Sequence, residues 1–447
     1  MKQLRVLLFV VLAAVLGTQA VLAQDAVPIT IRCKADSNGG EGWRCDNFAE
    51  VEAQVEEELG IAIDLTLIQD NKDWGDYKNE FVLASEANEA PDIVVAGHED
   101  IGAWAPAGFI IPLDELIAEH EEFEDVVPTL WDSQKWDGQI WGVPQDAEAR
   151  PIFFSKLLLS DLGWSDEEID SLPQRVADGE FTFEDLLATA QQAVDEGVVE
   201  AGNGLWHRTG NGPDWLIWYY GFGGEVLTED GNLVFDREAA EGALSLIASL
   251  PASGITRSDM IGLDSNILNE GVASTEDVLF HQGGTWNWAN WARNFVQAED
   301  GNAYLLENMS LMLFPAMDEE VGPVTLTHPL SYLISSQSEN PDVAMALIAA
   351  VTTPEANNRH AIDSFHLGIL NAQLTSDEYV ENEAISQAHY MLDHTTAIPN
   401  HPGWTAWSNA WWTAIQAAFS GEATPAEAVE MAVGQMQNEL GDSITIR

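Results

Sequence analysis

Residues 131–156, WDSQKWDGQIWGVPQDAEARPIFFSK, constrain the fold more than any other part of the chain. A polar, Trp-bearing turn (Lys135, Trp136, Asp137, Gly138) leads into a strand pattern over 139–143, with Ile140 and Val143 as its apolar members. Pro144 and Gln145 break that pattern. A second extended run over 151–154 then feeds a helical pattern starting at Ser155. Two strands on a short polar linker, neither able to close a core alone, predict a crossing between two lobes. The linker itself carries Asp146, Glu148 and Arg150, side chains suited to binding hydroxyl groups. The stretch therefore reads as a hinge and a site together.

The flanking periodicities fit that reading. Residues 29–33 read as a strand, and 47–59 have helical spacing (Phe48, Val51, Val55, Leu59) stopped by Gly60. Residues 61–68 alternate as a strand does, 73–87 are helical, and 93–96 form a buried-type strand. That succession predicts an α/β lobe with a largely parallel sheet. Beyond the crossing, Thr182 and Asp185 resemble a capping box opening a helix to about residue 196. A Gly- and Trp-rich stretch over 202–224 precedes a hairpin turn at 229–232, then a helix over 236–250. Strands are expected at 278–280 and 310–314, with a helix over 285–295 between them. Residues 330–335, with helices after Pro341 and Pro354, read as a return to the first lobe, and His366 as the last crossing. Helices over 384–392, 405–419 and 425–440 finish the chain. The sequence has no internal repeat and no low-complexity linker, so lobes made of discontinuous segments fit better than domains in series.

The start has the pattern of an export signal. Lys2 and Arg5 precede an apolar run over 6–16, and Val21, Leu22 and Ala23 form a small-residue cleavage site before Gln24. Residues 1–23 are thus expected to be removed, and no Cys at the new start offers a lipid anchor. The longest later apolar run, 343–351, is far shorter than a membrane span. A soluble periplasmic or extracellular monomer is expected. A net charge of −57 excludes nucleic acid as a partner. The 74 acids are dispersed and read as a solvated surface suited to salt rather than as a cation trap. Cys33 and Cys45 are the only cysteines; in an exported chain they predict one disulfide, closing a loop that holds Gly39, Gly40 and Gly42.

Seventeen Trp residues stand out, many in polar, Gly-rich surroundings. A pyranose ring packs its apolar C–H face on an aromatic plane, while its rim hydroxyls need paired donors and acceptors. Three groups could serve: Trp206, Trp215 and Trp218; Trp286, Trp288 and Trp291; and Trp404, Trp407, Trp411 and Trp412. The competing reading is that these are core aromatics.

The 131–156 stretch resembles the first crossover of the sugar-binding proteins of bacterial ABC importers, the maltose- and α-glucoside-binding group of solute-binding family 1. PDIVVAGHEDIGAWAPAGFIIPLDELI, residues 91–117, resembles that group's strand, ligand loop and helix, and GGTWNWANW, residues 283–291, its C-lobe aromatic segment. The order and spacing of the three extend the resemblance over most of the chain after the leader. It implies an α/β, two-lobed periplasmic-binding-protein fold with discontinuous lobes joined by a multi-crossing hinge. Residues 24–144 and 316–366 would form the N-lobe, 145–315 and 367–447 the C-lobe.

The resemblance also implies site residues. Glu99, beside His98, takes the place of the acid that binds sugar hydroxyls, and Glu148 that of the hinge carboxylate. Trp286 matches the stacking aromatic of the C-lobe, and Trp407, or else Trp404, the C-terminal one. Trp74, Asp76 and Tyr77 sit at the start of the N-lobe's second helix, and Trp215 in the ring-packing region of the other lobe. Asp100 falls where the maltose proteins carry a sugar-binding Arg, a departure that bears on specificity.

The expectation is an exported, non-enzymatic substrate-binding protein. It would capture a carbohydrate, an α-glucoside or related oligosaccharide, between its lobes and deliver it to a membrane ABC permease, without a cofactor or metal. The alternative is a secreted glycosidase, which needs two suitably spaced carboxylates. Glu99 and Glu148 would be such a pair, but among 74 acids a pair is easily found. Neither a Gly-x-Ser-x-Gly elbow nor a His-Glu-x-x-His helix is present. A third reading, a metal- or other-solute-binding protein of the same fold, would draw on His98, His366 and His401. The sequence leaves open which sugar and which permease. Mass spectrometry of the unreduced secreted protein should give a chain starting at Gln24 with no free thiol; retained leader residues or two thiols would contradict the reading.

Overall fold

The computed structural model describes residues 26–35, 41–228, 230–318 and 320–447. The expected leader and cleavage point, Gly39 and Gly40 of the cysteine loop, and Glu229 at the expected hairpin lie outside them. The architecture is α/β with two separate central sheets.

The first sheet has the strand order Ile63–Asp70, Val27–Lys34, Ile93–Gly97, Leu330–Ile334, Val143–Pro144. Its first three strands are parallel, and Leu330–Ile334 runs antiparallel to both of its neighbours, so the sheet is mixed. The middle strand is buried along its whole length, which explains its unbroken apolar run. Helix Trp43–Leu59 lays Phe48, Val51 and Val55 on the sheet and ends at Gly60, whose φ of 67° suits a glycine cap. Cys33, on the central part of the sheet, is disulfide-bonded to Cys45 in the first turn of that helix, with Cα atoms 5.7 Å apart. The bond ties the helix start, including Arg44, to the strand beside it.

The second sheet has the order Met309–Met312, Ile152–Ser155, Phe280–Gln282, Leu205–Trp206. Helix Phe183–Asp195 packs nearby and starts with the expected capping box, Thr182 with Asp185. Helices Trp404–Phe419 and Pro425–Leu440 pack against each other and against Arg237–Ser253 in the same core. The expected strand over 278–280 lies two residues later, at Phe280–Gln282, and the expected 139–143 strand is split. Gln139–Ile140 pairs back on Lys135–Trp136, and only Val143–Pro144 joins the first sheet. Positive φ at Asp137 (49°) and Gly138 (76°) makes the tight turn between the paired strands.

The two sheets are joined by three strands of chain lying side by side. Ala147 exchanges backbone hydrogen bonds with Leu367, and Gln145 N–H donates to Leu330 O at 2.8 Å. Arg150 N–H donates to the Thr325 hydroxyl at 2.8 Å. Leu313, Phe314 and Leu326 pack in the core of the second sheet and Leu330 in that of the first. The return crossing therefore sits after Leu326, later in the chain than position 315. Among the described residues no helix is long and apolar enough to cross a membrane.

A fourth contact binds the two halves. Asn400, on the segment before helix Trp404–Phe419, donates to Ser133 O at 2.6 Å and Lys135 O at 3.0 Å. Gly102 makes room for it: a Cβ there would lie 2.3 Å from the His401 backbone nitrogen. Gly102→Ala should destabilise the protein by about 1–3 kcal/mol, more than the helix propensity of Ala returns. Urea unfolding with an unchanged midpoint would show that the Asn400–His401 segment is not seated there.

Candidate ligand-binding cleft

A cavity of about 400 Å³ opens between the two sheets, over the crossing strands. Trp74, Lys78, Gly97 and Glu99 line it from the first lobe, and Arg208, Pro213 and Trp286 from the second. Glu41, Arg44, Asp146, Glu148, Arg150, His328, Leu330 and His366 form its base.

Glu99 follows strand Ile93–Gly97 and folds back over its last residue. A Cβ at Gly97 would lie 2.2 Å from the Glu99 carboxylate, so only glycine permits that fold. Lys78 Nζ bonds one Glu99 oxygen at 2.6 Å, and His328 Nε2 lies 2.7 Å from the other. Burial pushes the Glu99 carboxyl up, but His328 and Lys78 outweigh it and hold the group well below the usual carboxylate range. Asp100 lies 2.9 Å from Lys78, yet burial, with Glu99 adding to it, pushes Asp100 up to about 7. Lys78 thus brings a cation to the region where the resemblance expected an Arg and the sequence has Asp100.

At the base, the Arg150 guanidinium pairs with Glu148, has Asp214 at 3.4 Å, and lies 4.8 Å from the Trp286 ring centre. The His366 ring is stacked on Trp286 at 6.0 Å. Trp286 is partly exposed, and its ring folds over Gly284, where a Cβ would meet it at 1.9 Å. Burial raises the Glu148 carboxyl above its ordinary value despite Arg150. Beneath lies a second network: Arg44 pairs with Asp146 at 2.9 Å and with Glu41, and His360 approaches Asp146 at 3.3 Å. Burial pushes Asp146 up, but His366, Arg44 and His360 together hold it far below its usual value. Burial in turn keeps the His366 ring neutral near pH 7, at about 4. At neutral pH the full charge facing Asp146 is therefore that of Arg44.

The structure brings Trp74, Glu99, Glu148 and Trp286 together around the cavity. His98 is fully buried just behind Glu99. Asp76 is exposed, away from the lining. Tyr77, Trp215 and Trp407 are turned into the cores, and a stacking role needs an open ring face that they lack. The Tyr77 hydroxyl donates to Val95 O at 2.7 Å, and the Trp407 indole donates to Val234 O at 2.9 Å. Trp404 is half-buried and stacked on Trp407 at 5.7 Å. Of the histidines weighed as a metal set, His98 and His366 stand in separate clusters, and His401 accepts from Gly403 N–H. The sequence reading missed Arg44, Lys78, Arg208 and His328. Each sits in an unremarkable local pattern, and only the fold brings them to one cavity.

The profile of the family described as "Bacterial extracellular solute-binding protein" matches residues 53–387. A maltotriose-binding protein of Pyrococcus abyssi is 23% identical over 150 residues, 32% of this chain and 32% of that one, so the match spans about a third of that relative. The structure of the sugar-binding protein MalE from Xanthomonas citri superposes with a TM-score of 0.75 at 18% identity, covering 93% of this chain and 98% of that one. The GacH receptor of Streptomyces glaucescens, solved unliganded and with acarbose, gives 0.73 at 18% identity, covering 94% and 100%. These likenesses show the two-lobed fold that the sequence led one to expect.

Burial sets a pH dependence. It holds His98, His207 and His366 at about 4 and His281 at about 3, against an ordinary 6.5. A lowered folded-state value gives stability that is full above 6.5 and lost as pH falls toward 4. Burial also holds His389 at about 4 and lowers His360, while Asp100 and Glu148, raised by burial, act in the opposite sense, so the lowered histidines outnumber the raised acids. His328 is raised by Glu99 against the effect of burial, so its contribution changes only above 6.5. Stability should therefore fall as pH drops below 6.5, by about 1 kcal/mol or more per pH unit. Denaturant titrations at stepped pH would refute this with a flat curve down to pH 4.5.

Proposed function

The chain belongs to the bacterial extracellular solute-binding proteins, and from that premise we propose that it captures a carbohydrate between its lobes and hands it to a membrane ABC permease. One observation carries the reading: the cavity joins two aromatic planes on opposite walls to a base of charges that are already paired. Trp74 and Trp286 offer surfaces for the C–H faces of a sugar. Paired carboxylates and guanidinium groups offer oriented acceptors and donors for hydroxyls at little net charge. A neutral polyol needs that combination, whereas an ion would need an excess of one sign. The relatives named above are a maltotriose-binding protein, a sugar-binding protein and a receptor solved with acarbose.

The cavity, at about 400 Å³, lies toward the small end of ordinary ligand sites, about 300–1,000 Å³. That size and its two aromatic planes favour a ligand of one or two rings over a long dextrin. Lobes of residues 24–144 with 316–366, and 145–315 with 367–447, would close about the three crossings. The return crossing would be moved to the residues after Leu326, where the core packing changes sides. Closure is driven by contacts that both walls make only when shut.

A thermal-shift screen over a glycan panel, followed by calorimetry, tests the proposal. A sugar recovered unchanged with a defined Kd supports binding, and new products would mean an enzyme. On the identified sugar, Trp286→Ala should lose about 2 kcal/mol, roughly thirtyfold in affinity, with little change in the ligand-free Tm. Unchanged affinity in a destabilised protein would move Trp286 from the site to the core.

A further inference from the structure

His98, Glu99 and His328 each offer one ligand atom, and the three atoms lie within 4.8 Å of one another. His98 is fully buried, and its Nδ1 is 3.0 Å from the Asn400 side-chain oxygen. An amide oxygen only accepts, so Nδ1 carries the proton and Nε2 is a bare acceptor. That Nε2 is buried with no hydrogen-bond partner, a state that native interiors rarely tolerate. His328 approaches the Glu99 carboxylate from the other side, with its Nε2 in a hydrogen bond rather than free. Its Nε2 faces Glu99 Oε2 at 2.7 Å, and its Nδ1 faces the Glu148 carboxylate at 3.7 Å. His98 thus has one nitrogen held by an oxygen acceptor and the other unpartnered, as an imidazole poised for a metal does, while His328 directs its Nε2 at the Glu99 carboxylate itself. The second Glu99 oxygen is fixed by Lys78 at 2.6 Å, which leaves Oε2 for the centre.

The geometry points to a divalent transition-metal site, of the kind that takes Zn²⁺, made by His98, Glu99 and His328. Two imidazoles and one carboxylate are a three-ligand set that leaves a fourth position free. Because Glu99 and His328 line the cavity, that position faces the cleft and would accept a hydroxyl or carboxylate oxygen of the bound solute. The ion takes the place of the hydrogen shared by His328 and Glu99, so binding releases a proton when that hydrogen makes His328 cationic. The other cluster of this type, Asp146, His360 and His366, is different: the Arg44 guanidinium already sits 2.9 Å from Asp146 and 3.3 Å from His366.

The test uses Zn²⁺ alone, with no sugar, on chelator-treated full-length protein in enough salt to screen the acidic surface. Calorimetry should find one saturable equivalent, and the Tm should rise. His328→Ala, at a partly exposed position, should abolish that binding while the protein stays folded. Asn400→Asp, which keeps an acceptor for the His98 ring but loses the amide donors to Ser133 and Lys135, should retain binding, whereas Asn400→Ala, which also frees the His98 ring, should weaken it by about 10–100-fold. Co²⁺ in place of Zn²⁺ should give the visible band of a low-coordinate site, a readout that does not depend on how well a His98 variant folds. Weak, multi-site uptake that His328→Ala leaves unchanged would be adsorption to surface acids and would overturn the proposal, as would no uptake at all.

Discussion

The molecule turns on a buried ion pair, Arg44 with Asp146, at the meeting of the two lobes. Arg44 is held from its own side by the Cys33–Cys45 bond, since the Cys33 sulfur lies 3.3 Å from the Arg44 carbonyl oxygen. Asp146 belongs to the outgoing crossing and accepts the Leu330 N–H at 2.8 Å from the returning one. His360 and His366, from the third, close around the same carboxylate. One charge pair therefore fixes the register of four segments that are distant in sequence. Such a pair adds little net stability, because both ions are desolvated, but losing one partner strands the other at about 3–5 kcal/mol. Its effect is to make one arrangement of the crossings far better than its neighbours. The cavity lies directly above it, so the base of the site inherits that rigidity.

Elements with a strong period were legible in the sequence. The run Ile93–Gly97, the helix stop at Gly60 and the capping box at Thr182 carry their causes locally, in burial on both faces, a left-handed cap and reciprocal hydrogen bonds. The tryptophans were not, for a physical reason. Polar neighbours suggested a sugar rim, yet a buried indole N–H also needs an acceptor. Trp291 donates to Asn269, Trp288 to Asn302 and Trp218 to Gln282, all from interior positions. The polar company of a core Trp and of a cleft Trp thus looks the same along the chain. What separates Trp286 is Gly284, whose missing side chain lets the ring lie over the backbone at the cavity edge. Lys78 and His328 could not be read at all, since they reach Glu99 from 21 residues before it and 229 residues after it.

The charge distribution links the surface to the site. Of 17 Lys and Arg residues in a chain of net charge −57, Arg44, Lys78, Arg150 and Arg208 line a single cavity. Most of the other described acids face water, where screening and high dielectric make their repulsion weak. In the cavity the dielectric is low, and Glu41, Glu99, Asp146 and Glu148 would repel strongly without partners. Placing cations there allows an acidic protein to keep carboxylates in a concave site at all. The pairing also holds each carboxylate in one orientation before a solute arrives, so its lone pairs need no reorganisation on binding. Glu99 is one such case, gripped by Lys78 on one oxygen and His328 on the other. Asn400 orients the His98 ring beside this carboxylate, so an acid fixed on both oxygens is also the centre of the candidate metal site.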